Sequence, residues 1–255
     1  MTERIESKLD EIEKEQQVKI LFAVESGSRA WGFASPDSDY DVRFVYVRHM
    51  QEYLKLERKR DVIEWQLDEL LDINGWDLQK ALRLLHASNP TVFEWASSPI
   101  VYRKMPEWEM VSDVLGNYFS LKAGAYHYLN MAVGNYREYL KGDIVRLKKY
   151  FYVIRPILAC KWILDKKTAP PMLFTDLVQA ELEEKYQPII MELLDRKIHL
   201  PEIGCAPKID ILNRYIEEQI EEIKVLVSSV QPEPHLEYDL LNKIFCSVLN
   251  HERYS

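Results

Sequence analysis

The chain is short of the residues that build disulfide frameworks and zinc sites. It has three cysteines among 255 residues, and no two of them form a Cys-x-x-Cys pair. The six histidines are scattered, without the His-Glu-x-x-His pattern of zinc-dependent proteases. A disulfide scaffold or a zinc site is therefore not expected, and the cysteine usage favours a reducing cytosol.

Glycine and long apolar runs are also scarce. The 8 glycines argue against collagen-like and glycine-rich β architectures. No apolar run reaches the roughly 18–20 residues that span a bilayer. The charged N-terminus, residues 1–8, lacks the apolar stretch of a signal peptide. We therefore expect a soluble, cytoplasmic protein without a membrane partner; its oligomeric state stays open.

Apolar residues and charge are plentiful. Hydrophobic residues make up 47% of the chain and charged residues 29%, which excludes a disordered chain. The net charge of −8 argues against a simple basic nucleic-acid binder. The charge is uneven, however, because residues 101–170 carry 12 basic and 6 acidic side chains. That basic segment would attract a triphosphate or RNA. The acidic net charge is therefore weaker evidence against a nucleotide or RNA partner than it first suggests.

The hydrophobic periodicity changes along the chain and predicts two domains. The first 75 residues read as a helix and four strands: a helix over 2–16, and strands over 18–24, 41–47, 61–66 and 69–74. Helical patterns then dominate, over 107–141, 143–167, 176–197, 207–229 and 236–250. The expected class is α+β: a small mixed-sheet domain of residues 1–100, followed by a helical bundle domain of residues 101–255.

Residues 27–41 combine a phosphate-binding pattern with a metal-binding pattern. Gly27 and Ser28 follow the first strand and open a short helix, whose free backbone N–H groups suit a phosphate. Asp39 and Asp41 open the second strand at i and i+2, so both carboxylates can face one divalent cation. Hard oxygen ligands favour Mg²⁺ or Mn²⁺. The alternative is a solvated turn, since Asp-x-Asp is also common in Asx-turns.

A third carboxylate is expected to complete such a site. Asp72 is the best candidate, because it alternates with Leu71 and Ile73 and so projects from the opposite face of its strand. Glu64 and Asp77 are its rivals, and Asp77 has a sufficient alternative role as the N-cap of the following helix.

These motifs together resemble the polymerase-beta-like nucleotidyltransferases, and within them the RNA-ligase-associated RlaP type. The segments that carry the resemblance are Gly27-Ser28-Arg29-Ala30-Trp31-Gly32, Ser38-Asp39-Tyr40-Asp41-Val42-Arg43, Leu71-Asp72-Ile73-Asn74-Gly75-Trp76-Asp77-Leu78-Gln79-Lys80-Ala81-Leu82, Ser88-Asn89-Pro90, Ser98-Pro99-Ile100-Val101-Tyr102 and Tyr150-Phe151-Tyr152-Val153-Ile154-Arg155-Pro156. They are spread over most of the chain. The resemblance is therefore specific for the family and less informative about the substrate.

The resemblance implies transfer of a nucleoside monophosphate from an NTP, with ATP favoured, and release of pyrophosphate. The acceptor hydroxyl is unidentified, with RNA among the candidates. Asp39 and Asp41 would bind both metal ions, and Asp72 would complete the metal site and help to activate the acceptor. By the same resemblance, Gly27 and Ser28 would hold the β- and γ-phosphates. Arg29 would contact phosphate or position an aspartate.

Two further sets of residues keep two interpretations each. Lys148, Tyr152 and Arg155 stand at i, i+4 and i+7 of a predicted helix and share one face. The resemblance implies that they bind the triphosphate, and the alternative is a solvated polar edge of a core helix. The basic run 55–60 could contact a polynucleotide acceptor, although a solvated loop is the favoured interpretation.

Two other classes of function compete with an enzyme. A nucleotide-binding regulatory module of the same fold, with little or no turnover, is the first. The complete set of Asp39, Asp41 and Asp72 argues against it, because an inactive copy need not keep all three. A structural partner protein with coincidental carboxylates is the second.

Overall fold

The computed structural model describes residues 1–68, 70–199, 204–234 and 236–251. Contacts divide the chain into two compact units. The first comprises residues 1–30, 39–118 and the described residues after 235, and the second comprises residues 31–38 and 119–234. This grouping does not follow a single boundary after residue 100, and the two-domain assignment stays a prediction.

The first unit is built on a mixed five-stranded sheet. Its strands are β1 (Val18–Glu25), β2 (Tyr40–Arg48), β3 (Val62–Asp68), β4 (Leu71–Asp77) and β5 (Val101–Lys104). The order across the sheet is β3-β4-β2-β1-β5. Strands β2 and β4 run parallel, and the other neighbours are antiparallel. The predicted mixed sheet in an α+β fold is confirmed.

Twelve α-helices accompany the strands over the described residues. They are α1 (Thr2–Gln16), α2 (Gly27–Ala30), α3 (Met50–Tyr53), α4 (Leu78–His86), α5 (Pro90–Ala96), α6 (Pro106–Ser112), α7 (Leu121–Tyr139), α8 (Lys149–Lys166), α9 (Phe174–Glu181), α10 (Gln187–His199), α11 (Asp210–Ser229) and α12 (Asp239–His251). A 3-10 helix covers Leu115–Tyr118, and two short strands, β6 (Ile144–Arg146) and β7 (Cys205–Pro207), pair in the second unit.

Local sequence signals explain how the first unit forms. Helix α1 buries Ile5, Leu9 and Ile12, which stand at helical spacing and belong to the same apolar cluster as the sheet. Helix α4 begins after Asp77, whose side chain accepts a hydrogen bond from the backbone N–H of Gln79 at 2.8 Å. The predicted N-cap is therefore confirmed, and such a cap contributes about 1 kcal/mol.

The chain after residue 106 is mainly helical, but three of the helices predicted there are wrong in extent. The pattern over 107–141 is interrupted between α6 and α7, where Ser120 caps α7 by accepting from the N–H of Ala123. Residues 144–146 form β6, so the next helix begins only at Lys149. The pattern over 176–197 is split between α9 and α10. Apolar spacing alone does not show where a cap or a short strand ends a helix.

No helix in the described parts of the chain combines the length and the apolar character needed to cross a membrane.

Candidate active site

Parallel pairing of β2 and β4 brings two of the predicted carboxylates together. Asp41 and Asp72 are partners in the strand register. Leu71 and Ile73 are buried while Asp72 is exposed, so Asp72 projects from the face opposite the core, as predicted. Asp39 lies one residue before β2 and is exposed. Its predicted place within the strand is therefore wrong, because pairing begins only at Tyr40.

Arg43 connects these two carboxylates. Its Nη2 donates to Asp41 Oδ1 at 3.0 Å and to Asp72 Oδ2 at 2.8 Å. Its Nη1 donates to the carbonyl oxygens of Val42 and Asp72, both at 3.0 Å. Sequence reasoning missed this role, although Arg43 stands two residues after Asp41 and so shares its face of the strand. A positive charge thus lies between Asp41 and Asp72.

The turn after β1 approaches Asp41 so closely that it requires glycine. Gly27 has a left-handed φ of +59°, and a Cβ built on it would overlap Asp41 Oδ2 and lie 2.9 Å from Asp41 Cγ. The N–H of Ser26 donates to the Asp41 carbonyl at 2.8 Å. Ser28, within α2, is half-buried. The turn at Gly27 and Ser28 therefore lies directly beside the strand that carries Asp41. The sequence pattern predicted the strand-to-helix turn but not its contact with Asp41.

A buried carboxylate, Glu25, supports Asp41 from β1. Glu25 is fully buried, and its Oε1 accepts from the N–H of Asp41 at 2.8 Å. Its Oε2 accepts from the hydroxyl of Tyr102. Burial raises the pKa of Glu25, and the bonds from Tyr102 and the Asp41 N–H oppose that rise. The signal that could have found it is a glutamate at the end of an otherwise apolar strand.

The pKa of Asp41 is determined mainly by burial and by neighbouring charges. Desolvation raises the pKa of Asp41, Arg43 lowers it, and the carboxylates of Asp72 and Asp39 raise it further. Arg29 also lowers the pKa of Asp41. The three predicted aspartates are therefore electrostatically coupled in the same part of the first unit.

Arg29 is held against the start of β2. Its guanidinium lies 3.6 Å from the centroid of the Tyr40 ring, and its Nε donates to the carbonyl oxygen of Asp39 at 3.1 Å. This geometry suits a residue that positions the segment from Asp39 to Asp41, which is one of the two predicted roles.

The rivals of Asp72 have other contacts. Glu64 is exposed and pairs with Arg60 at 2.7 Å. Asp77 caps α4 and also accepts from the hydroxyl of Tyr53 at 3.0 Å.

The carboxylates of this site supply two oxygen donors for a divalent cation. Among the described residues, no three His, Cys, Asp or Glu side chains are gathered as a group that could hold a metal ion. Asp41 and Asp72 nevertheless reach the same cationic nitrogen of Arg43. Magnesium often takes one or two protein carboxylates and completes its shell with water and substrate phosphates. Asp41 and Asp72 match that protein contribution of one or two carboxylates.

In the second unit, the structure places Tyr152 and Arg155 against one aromatic ring. Arg155 is only 3% exposed, and its guanidinium lies 4.6 Å from the centroid of Trp31. Tyr152 meets the same indole edge-on, with centroids 6.0 Å apart. Lys148 is half-buried at the start of α8. A solvated polar edge therefore does not describe Arg155.

A buried lysine that sequence reasoning missed lies in the same unit. Lys197 is 8% exposed, and its Nζ donates to the carbonyl of Phe33 at 3.0 Å. Burial lowers its pKa, and the charge of Lys148 lowers it further while Asp37 raises it. Nothing in the pattern of α10 distinguishes Lys197 from an exposed lysine. The charges of Lys148 and Lys197 thus repel each other within the second unit.

The match to a family model agrees with the resemblance of the motifs. The model of the RlaP family, described as the RNA repair pathway DNA polymerase beta family, matches residues 1–247. The uncharacterized protein YcgL of Bacillus subtilis (strain 168) is 45% identical over 251 residues, which are 98% of this chain and 96% of that protein. A nucleotidyltransferase-like protein from Exiguobacterium sibiricum 255-15 aligns with a TM-score of 0.33 and 12% identity, over 97% of this chain and 80% of that chain. Since the family model covers nearly the whole sequence, the chain belongs to the RlaP family of polymerase-beta-like nucleotidyltransferases.

Proposed function

We propose that the protein is a metal-dependent nucleotidyltransferase. It moves a nucleoside monophosphate from an NTP, with ATP favoured, to a hydroxyl acceptor, with RNA among the candidates. The acceptor oxygen bonds to the α-phosphorus, the bond from the α-phosphorus to the bridging oxygen breaks, and pyrophosphate leaves with that electron pair. One observation carries the proposal: Asp41 and Asp72 lie side by side next to the Gly27 turn, and both bind the same guanidinium nitrogen of Arg43.

Each carboxylate has a part in the proposed site. Asp39, Asp41 and Asp72 would hold Mg²⁺ or Mn²⁺, which when bound neutralises phosphate charge and lowers the pKa of the acceptor hydroxyl. Asp72 is exposed and lies beside Asp41, so it can take the acceptor proton. Glu25 holds the N–H of Asp41 and keeps that strand end in place.

Phosphate binding is assigned to the glycine turn and to the basic segment. Gly27 and Ser28 offer backbone N–H groups to the β- and γ-phosphates, and Arg29 fixes Asp39 through its carbonyl. Lys148, Tyr152 and Arg155 remain proposed triphosphate contacts. Their support is the positive charge of residues 101–170.

Incubation with α-labelled nucleotides tests the transfer directly. Each of the four NTPs is mixed with the full chain and Mg²⁺, Mn²⁺ or EDTA, with single-stranded RNA and with protein acceptors. We expect labelled acceptor and an equal amount of pyrophosphate, both lost in EDTA. A chain with Asp39→Asn and Asp41→Asn, purified in parallel, controls for a contaminating transferase. Label transfer that is equal in that variant, or absent across all acceptors, contradicts the proposal.

A nucleotide-binding module without turnover is the second candidate. The observation that favours it is Arg43, whose guanidinium already pairs with both Asp41 and Asp72. The two candidates separate in the same experiment, because the module would bind NTP tightly without releasing pyrophosphate.

Replacement of Arg43 by glutamine is expected to strengthen Mg²⁺ binding about tenfold, a change of about 1.4 kcal/mol. The guanidinium and the metal compete for the same carboxylates, and its removal also leaves the site more negative. Isothermal titration with Mg²⁺ and Mn²⁺ measures the change.

The matched control for this variant is Arg103→Gln. Arg103 also pairs with carboxylates, those of Glu6, Asp10 and Glu13, and its side chain is 16% exposed against 18% for Arg43. It should leave metal affinity unchanged. Equal or weaker metal binding by the Arg43 variant would show that Arg43 does not compete with the ion.

A further inference from the structure

The first unit contains a polar cavity at the end of β2 that is far from Asp41. The cavity has a volume of about 570 Å³ and is lined by Arg48, by residues 52–53 and 55–61, by Asp77, and by Gln79 and Arg83 of α4. Arg48 stands seven residues after Asp41 on the same strand. At about 3.3 Å per residue, the two lie roughly 23 Å apart along β2. The cavity is therefore separate from the candidate active site.

The lining of this cavity is charged, with a positive excess. Six basic and four acidic residues line it, which gives a formal charge of +2 in a chain whose total is −8. Among the described residues that line it, Leu56 is the only aliphatic one and Tyr53 the only aromatic one. Such a surface suits a small, strongly hydrated anion better than an apolar ligand.

Arg48 is a buried guanidinium with few hydrogen bonds. Its side chain is 9% exposed, and its Nε, which lies 3.9 Å from Asp77 Oδ2, has no hydrogen-bond partner among the described residues. Its Nη2 donates to the Tyr46 hydroxyl and the Arg60 carbonyl, both at a long 3.4 Å. A guanidinium has five N–H donors, and a buried charge is costly unless it is well paired.

The nearby carboxylate of Asp77 is committed to other donors. One of its oxygens accepts from the N–H of Gln79 at 2.8 Å, and the other accepts from the Tyr53 hydroxyl at 3.0 Å. The Tyr53 oxygen in turn accepts from the backbone N–H of Arg48. Asp77 is therefore held in place as a helix cap. Arg48, which lines the cavity, keeps an Nε–H without an acceptor among the described residues.

Two exposed arginines line the same cavity. Arg83 projects from α4, and its Nη2 donates to the side-chain oxygen of Gln79 at 2.9 Å. Arg58 has no ion-pair partner among the described residues, and neither has its neighbour Glu57. The other two carboxylates of the segment are engaged: Glu52 pairs with Lys55 and Lys59, and Asp61 pairs with Lys80. Planar guanidinium groups bind phosphoryl oxygens with two parallel hydrogen bonds.

We propose that this cavity binds a phosphoryl group through Arg48, Arg58 and Arg83. A phosphoryl group offers three acceptor oxygens and up to two negative charges, which match a buried guanidinium and two exposed ones. A small phosphate compound or a nucleic-acid strand can supply that group. The site goes beyond the proposed transferase activity and does not depend on it.

The side-chain NMR signal of Arg48 tests the site. Inorganic phosphate is added to the ¹⁵N-labelled full chain at constant ionic strength, without divalent metal or nucleotide. The Arg48 Nε–H signal is assigned by its loss in Arg48→Lys. We expect a saturable shift of that signal, with affinity reduced about tenfold in Arg83→Ala. The matched control is Arg214→Ala, an exposed arginine on α11, which should leave the affinity unchanged.

Short single-stranded RNAs with and without a 5′-phosphate identify the source of the phosphoryl group. If a strand is the ligand, it binds more tightly than inorganic phosphate and AMP, and Arg58→Ala makes the negative slope of log K against log salt shallower by about 0.7. If a small molecule is the ligand, AMP binds as tightly as the strand. An Arg48 signal that none of these moves, or an equal effect of Arg83→Ala and Arg214→Ala, overturns the proposal. The shift should persist in Asp41→Asn, which separates this site from the proposed transferase.

Discussion

Replacing Asp41 by asparagine should lower Mg²⁺-dependent nucleotidyl transfer at least about a hundredfold. Loss of a residue that only supports a metal ligand already costs 10–100-fold, and Asp41 is proposed as a direct ligand. Asparagine keeps the shape of the side chain but lacks the charge that holds a divalent cation. The label-transfer assay measures the rate, and titration with Mn²⁺ measures the accompanying loss of metal affinity.

The same substitution should not lower the stability of the fold at neutral pH. Burial raises the pKa of Asp41 in the folded protein. Any stabilisation by this group is therefore complete below its unfolded-state pKa and is lost as the pH rises through the folded-state value. At neutral pH the buried charge opposes folding, and asparagine removes it, while Arg43 keeps its pair with Asp72.

Asp113→Asn is the matched control, because Asp113 is an exposed carboxylate at the end of α6 in the same unit. It should change neither transfer nor melting temperature. If the transfer rate of Asp41→Asn stays within threefold of that of the unmodified chain, Asp41 is not a metal ligand.

Local signals made much of the first unit predictable. The apolar run of β1 predicted its limits to within one residue. Asp77, as an N-cap residue, predicted the start of α4. The alternation of Asp72 with Leu71 and Ile73 predicted which side of β4 it would occupy. Each of these is a property of a few consecutive residues, which is what periodicity and capping rules read.

Long-range pairing explains what the sequence could not predict at the site. The alignment of Asp41 with Asp72 depends on the register of two parallel strands, β2 and β4. These strands are neighbours in the sheet but are separated in sequence by α3 and β3. The bonds of Arg43 depend on that register. The role of Glu25 depends on the partner strands that carry Asp41 and Tyr102. No local pattern encodes such contacts.

Alanine at Gly27 should both destabilise the fold and disable the site. The left-handed conformation of Gly27 costs an L-residue about 1–2 kcal/mol, and the new Cβ would overlap the Asp41 carboxylate. Asp41 must then move away from Arg43 and Asp72, so transfer should fall at least tenfold. Thermal melting and the label-transfer assay measure the two effects.

Gly134→Ala on α7 provides the opposite control. A Cβ there meets nothing within 4 Å, so alanine should stabilise the helix by up to about 1 kcal/mol and leave transfer unchanged. A double variant, Gly27→Ala with Asp41→Asn, tests the cause of the Gly27 effect. If glycine is needed because the carboxylate lies against it, the double variant should lose no more activity than Asp41→Asn alone, since both changes act through one side chain. Additive losses would show that Gly27 serves the site independently of Asp41, as a phosphate-binding turn would.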